Sequence, residues 1–124
     1  MKTIQTDQAP KAVGPYSQAV LAKDTLYVSG QLPFDPITNS LISEDIKDQT
    51  KKSLTNVLAI VKASGMNLEN IVRCTVYMKD LSAFSYMNEV YQQFFGNHKP
   101  ARVTVEVSRL PKDVKIEIDC IAVK

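Results

Sequence analysis

Near the C-terminal end of the chain, an arginine, a threonine and a glutamate are spaced to do chemistry. Arg102 and Thr104 alternate with Val103, Val105 and Val107. Glu117 falls in a second run, where Val114, Ile116, Ile118 and Cys120 alternate with Lys115, Glu117 and Asp119. Period-two alternation sends one set to each face of a sheet. The apolar sets need a core, so Arg102, Thr104 and Glu117 are expected together on the other face. A guanidinium, a hydroxyl and a carboxylate so placed could hold a small anion and position a water. The competing reading is a solvated antiparallel edge with ordinary surface charges.

The rest of the chain must position that face. Met1 to Thr6 reads as an edge strand, and Pro10 to Tyr16, with Pro10, Gly14 and Pro15, as a loop. Ser17 to Leu21 and Thr25 to Ser29 form a hairpin around Ala22-Lys23-Asp24. Gly30 to Pro33 ends the second strand, and Phe34 to Leu41 is turn-rich. Ser43 reads as an N-cap. Behind it Ile46, Thr50, Leu54, Val57, Leu58 and Val61 give an apolar stripe that ends at Gly65. That helix should run about six turns. In Ile71 to Met78, Val72, Cys74, Val76 and Met78 share one face. Asp80 opens a second helix with the stripe Leu81, Phe84, Met87, Tyr91, Phe94 and Phe95, and Asn88 lies beside it. An amide there is either a buried tether or a boundary position half in water.

The order ββ(β)αβαββ predicts an α+β fold with residues 1–124 as one domain. Its mixed sheet should have six strands, with both helices on one face. Strands 71–78 and 102–108, joined through a helix, should be parallel. The uncovered face would carry Tyr27, Ser29, Arg73, Thr75, Tyr77, Arg102, Thr104 and Glu117, a semi-polar set suited to contact between subunits.

Bulk properties narrow the function. The 124 residues are 44 % apolar and 23 % charged with a net charge of +2, ordinary for a globular protein. There is no dense basic run, which argues against nucleic acid as a partner. No stretch has the length of a membrane span and no signal peptide opens the chain, so the cytoplasm is the expected location. Cys74 and Cys120 lie on apolar sides of their runs and should behave as small buried hydrophobes. With one histidine, His98, no metal motif forms.

Several motifs together resemble the RidA, or YjgF-type, reactive intermediate deaminase family. They are Gly14-Pro15-Tyr16-Ser17-Gln18-Ala19, Ser29-Gly30-Gln31-Leu32-Pro33, Pro100-Ala101-Arg102, Val105-Glu106-Val107 and Arg109-Leu110-Pro111-Lys112-Asp113-Val114. The resemblance implies a chorismate-mutase-like fold assembled as a homotrimer, with sites between subunits and neither cofactor nor metal. It implies hydrolysis of 2-imino acids and their enamine tautomers, such as 2-iminobutanoate and 2-iminopropanoate, to 2-keto acids and ammonia. Arg102 matches the residue that grips the substrate carboxylate, and Glu117 the one associated with the attacking water. Tyr16, Ser29 and Asn88 match positions lining or supporting the pocket, and Gly30 and Gln31 belong to the same motif. The chain departs from the family at Thr104, where the deaminase branch resembles Arg-Ser-Cys or Arg-Val-Cys. A trimeric small-carboxylate-binding or regulatory protein without significant turnover is the alternative that this departure keeps open.

Overall fold

The computed structural model describes residues 1–124. Six strands form one mixed sheet: β1 (Lys2–Ile4), β2 (Ala19–Ala22), β3 (Thr25–Gln31), β4 (Ile71–Met78), β5 (Ala101–Glu106) and β6 (Ile116–Val123). Their order across the sheet is β1-β2-β3-β6-β4-β5. β4 and β5 pair in parallel, and every other neighbour is antiparallel. The parallel pair follows from the chain between them, because α2 (Phe84–Phe95) carries the backbone back to the starting edge. The longer helix, α1 (Ile46–Ala63), precedes β4. No helix is long and apolar enough to cross a membrane.

Both helices bury their stripes against one sheet face. Leu54, Val57, Ile60 and Val61 from α1 meet Met87, Tyr91 and Phe95 from α2. Beneath them lie Leu26, Val28, Cys74, Val76, Met78, Ile116, Ile118 and Cys120. Both cysteines are buried and free. Burial pushes the Cys74 thiol up to about 11 and also raises that of Cys120, so both are neutral, inert thiols at physiological pH.

Four sequence expectations need correction. The α1 N-cap is Asp45, whose carboxylate accepts from the Lys47 N–H; Ser43 instead accepts from the Asp45 N–H. The helix has 18 residues, one turn fewer than expected. A register shift between Ile71 and Arg73 turns Ile71 into the core and leaves Val72 exposed. The second helix opens with a short 3-10 turn at Leu81–Ala83, which Asp80 caps, and Leu81 and Phe84 stay largely outside the core.

A larger correction concerns β5. Arg102 is paired with Cys74 and Thr104 with Val76, both core residues. Paired residues of neighbouring strands share a face. Arg102 and Thr104 therefore point toward the helices, while Val103 and Val105 lie on the uncovered face, 38 % and 37 % exposed. β5 is an edge strand, so the uncovered face extends apolar surface to the rim of the sheet.

Candidate functional site

The expected site residues gather in two places. The first is a cleft of about 840 Å³ whose lining includes Tyr16, Ser29, Gly30, Gln31 and Glu117. Glu117 lies opposite Tyr77 on the uncovered face and reaches across to β3. It can do so because residue 30 has no side chain: a Cβ on Gly30 would fall 1.9 Å from Glu117 Oε2. Burial raises the Glu117 pKa above its usual value, and the neighbouring Asp119 carboxylate adds to that shift. A carboxyl in this position holds its proton to higher pH than a free one does.

The cleft wall is fixed by hydrogen bonds between chain segments. Ser29 donates from its hydroxyl to the Ser17 carbonyl at 2.6 Å, holding the loop that carries Tyr16. Gln18 is buried; its amide nitrogen donates to the Thr6 and Pro10 carbonyls, and its oxygen accepts from the Thr6 N–H. The Gln31 side chain is likewise buried and donates to the Ser29 carbonyl. Gln31 thus ties down the bulge at the end of β3 while lining the cleft.

Arg102, Asn88 and Thr104 form the second place, on the helix side of the sheet. The Arg102 guanidinium lies 4.7 Å from the centroid of the Tyr91 ring and 5.5 Å from that of Phe84. Both faces are favourable seats for a cation. Arg102 Nη1 donates to Asn88 Oδ1 at 2.8 Å. Asn88 is therefore half-buried as a brace for the arginine and does not tether a loop. The chain's two ion pairs, Lys47–Glu89 and Arg109–Asp113, leave Arg102 without a carboxylate. Its remaining N–H groups can take a bidentate anion. The Thr104 hydroxyl oxygen is buried and has no hydrogen-bond partner.

The structure thus joins Arg102 to Asn88 and Glu117 to Tyr16, Ser29 and Gly30, but it does not join the two groups within one chain. No cluster of three His, Cys, Asp or Glu side chains is arranged to hold a metal.

Comparison with known proteins decides the family. Residues 6–124 match the family model described as Endoribonuclease L-PSP. The chain belongs to the YjgF/RidA family.

Relatives in the YjgF/RidA family cover nearly the whole chain. A RutC family protein of Pyrococcus horikoshii is 54 % identical over 99 % of this chain and 98 % of its own. The 2-iminobutanoate/2-iminopropanoate deaminase of Salmonella typhimurium is 50 % identical over 99 % of this chain and 98 % of its own. Escherichia coli TdcF, crystallised with bound serine, superposes with a TM-score of 0.96 at 46 % identity, covering 100 % of this chain and 99 % of that one. The family therefore includes proteins named as imine deaminases and at least one that holds a small amino acid.

Sequence reasoning missed the aromatic seat of Arg102, because Phe84 and Tyr91 read as ordinary stripe residues. It also missed Asn56 and Gln49, both fully buried in α1. Asn56 donates to the Leu32 and Phe34 carbonyls, and Gln49 donates to the Ser43 carbonyl while accepting from the Lys115 N–H. A polar row at positions 49, 53 and 56, at helical spacing beside the apolar stripe, was the available signal.

Proposed function

We propose that the protein hydrolyses 2-imino acids such as 2-iminobutanoate and 2-iminopropanoate, with their enamine tautomers, to 2-keto acids and ammonia. Two copies of the chain build each site, one supplying Arg102, Asn88 and Thr104, the other Tyr16, Ser29, Gly30 and Glu117. The observation that carries this reading is Arg102, a cation seated on two rings and braced by Asn88, with no carboxylate of its own chain. A partly buried guanidinium with free donors calls for an anion. The 50 % identical Salmonella deaminase and the serine-bound TdcF support a small carboxylate in that role.

The chemistry follows from the groups present. Arg102 clamps the substrate carboxylate through two parallel bonds and fixes the imine carbon. Glu117 takes a proton from water as the water oxygen bonds to that carbon. The tetrahedral adduct then collapses to the keto acid. With the imine nitrogen protonated, that adduct is a neutral carbinolamine. Glu117 returns its proton to nitrogen, and the C–N bond breaks with its electron pair on nitrogen. The hydroxyl proton passes to Glu117 as the C=O forms and ammonia leaves. The Thr104 hydroxyl, buried without a partner, is available to the substrate nitrogen or carboxylate. Copies meet through the uncovered face, with Tyr27, Val103 and Val105 as its exposed apolar residues, in a homotrimer.

A coupled assay with freshly generated 2-iminopropanoate tests the activity, and light scattering tests the assembly. Accelerated ammonia release by a particle three times 13.8 kDa is the expected result. A trimer that binds serine or a keto acid but leaves imine decay unchanged would establish the carboxylate-binding alternative. A monomer would remove the shared site.

A further inference from the structure

Glu117 has two neighbours on the uncovered face that this scheme leaves unused. Asp119 follows it by two residues on β6, so the two carboxylates stand on the same face. Tyr77 is directly opposite Glu117 on β4, and Thr75 is opposite Asp119. The Tyr77 hydroxyl crosses this register diagonally and donates to Asp119 Oδ2 at 3.0 Å. We propose that Asp119, held by Tyr77, is a positioning residue for the proton that Glu117 hands to departing ammonia. The inference rests on the reading of Glu117 as the group that carries that proton.

The surroundings leave Asp119 free to act on Glu117. Neither ion pair of the chain includes it. Just before β6 the next ionisable residue of the same alternation is Lys115, whose ammonium turns away to the Glu44 carbonyl. On β4, Arg73 lies further along, opposite Ile121. On β3, Ser29 and Gly30 carry no ionisable group, and Tyr27 is opposite Ile121. Lys11, Tyr16 and Lys112 line the cleft beside Glu117. Burial lifts the Glu117 carboxyl most, and the Asp119 charge beside it adds to the effect.

The hydrogen bond gives Asp119 a fixed place. A free carboxylate would swing toward water, where its effect on a neighbour is screened. Tyr77 keeps it turned along the sheet, and the phenol itself is raised by burial and by this contact. A proton then stays on Glu117 to higher pH, where an acid is needed to release ammonia.

The test follows the Glu117 carboxyl by carbon NMR and the pH profile of kcat/KM for 2-iminobutanoate, in wild type, Asp119→Asn and Tyr77→Phe. For unit charges about 7 Å apart, the Glu117 midpoint should fall by roughly half a unit to one and a half units in Asp119→Asn. Tyr77→Phe should shift it in the same direction by less, and the matching limb of the pH profile should move with it. An unmoved midpoint in folded variants overturns the coupling, whatever the effect on melting temperature. Shifting midpoints in a protein whose wild type does not turn over 2-iminobutanoate would uphold the coupling and overturn the deaminase reading.

Discussion

Arg102 and Glu117 stand on opposite faces of one sheet. The arginine packs over Tyr91 on the helix side, and the glutamate fits against Gly30 on the bare side. The β4 strand that separates them is fully paired to both neighbours. A substrate the size of a small imino acid cannot reach both within a single copy. If the two act together, they do so across a contact between copies.

Mixing experiments should expose that sharing. Arg102→Ala and Arg102→Lys should each lose about 30-fold to several thousand-fold in kcat/KM while remaining folded, the lysine because it loses the planar fork. Glu117→Gln should lower kcat with substrate binding largely kept. Trimers refolded from an equal mixture of Arg102→Ala and Glu117→Gln chains should regain roughly a quarter of wild-type activity, since random assembly restores both residues at that share of interfaces. Mixed trimers as inactive as their parents would show that both residues must come from one chain.

Gly30→Ala should disable the cleft without unfolding the sheet. The added methyl would occupy the place of Glu117 Oε2, 1.9 Å away, and must push the carboxylate aside. Displacement of a reacting group by about 1 Å can cost 10²-fold in rate. Circular dichroism should be unchanged and kcat should fall by that order. Full activity would mean that the Glu117 carboxylate has no fixed post.

Thr104→Val should raise stability and lower activity together. The Thr104 hydroxyl oxygen is buried and unpartnered, so replacing it with a methyl of similar size should stabilise the chain by about 1 kcal/mol. If the hydroxyl waits for substrate, turnover should drop. Thr104→Cys should keep fold and assembly while altering the preference among imino acids. Denaturant titration and kinetics on two imino acids read both effects, and kinetics untouched by either change would leave only the backbone at 104 with a role.

Glu117→Gln should also change the pH dependence of stability. Folding raises the Glu117 pKa above its usual 4.5, so the folded chain prefers the protonated acid. The stability it confers is complete below that usual value and is lost as pH rises through the raised one. Glutamine never ionises and avoids the loss. The variant should be the more stable protein at neutral pH, with the gap closing toward about pH 4. Melts at both pH values that differ by the same amount would show an uncoupled carboxyl.

The sequence made the sheet legible and left one face ambiguous. On β6, Ile116, Ile118 and Cys120 are the only apolar alternation before Ile121, and they are core residues. On β5 both sets had a claim. Val103 and Val105 are apolar because the bare face needs them, whereas Arg102 faces the helices on aromatic seats that alternation cannot reveal. Only the register against Cys74 and Val76 settles it, and register is a property of two strands. Tyr16, Ser29, Gly30 and Gln31 were found through their motifs, and Glu117 through the alternation of its strand. Asn56 and Gln49 were not, because their partners are main-chain atoms distant in sequence.

Those two amides also bear on how such a protein can diversify. Asn56 grips the Leu32 and Phe34 carbonyls and Gln49 the Ser43 carbonyl, so α1 holds the segment between strand and helix by its backbone. Pro33 is buried and Asp35 braces the turn by accepting from the Ile37 and Thr38 N–H groups, but the Leu32 and Phe34 side chains carry none of that attachment. Mutation can exchange those two without removing the bonds that hold the wall. Leu32, Phe34 and Asn39 line the cleft, so this wall can acquire new ligand preferences while its frame stays in place.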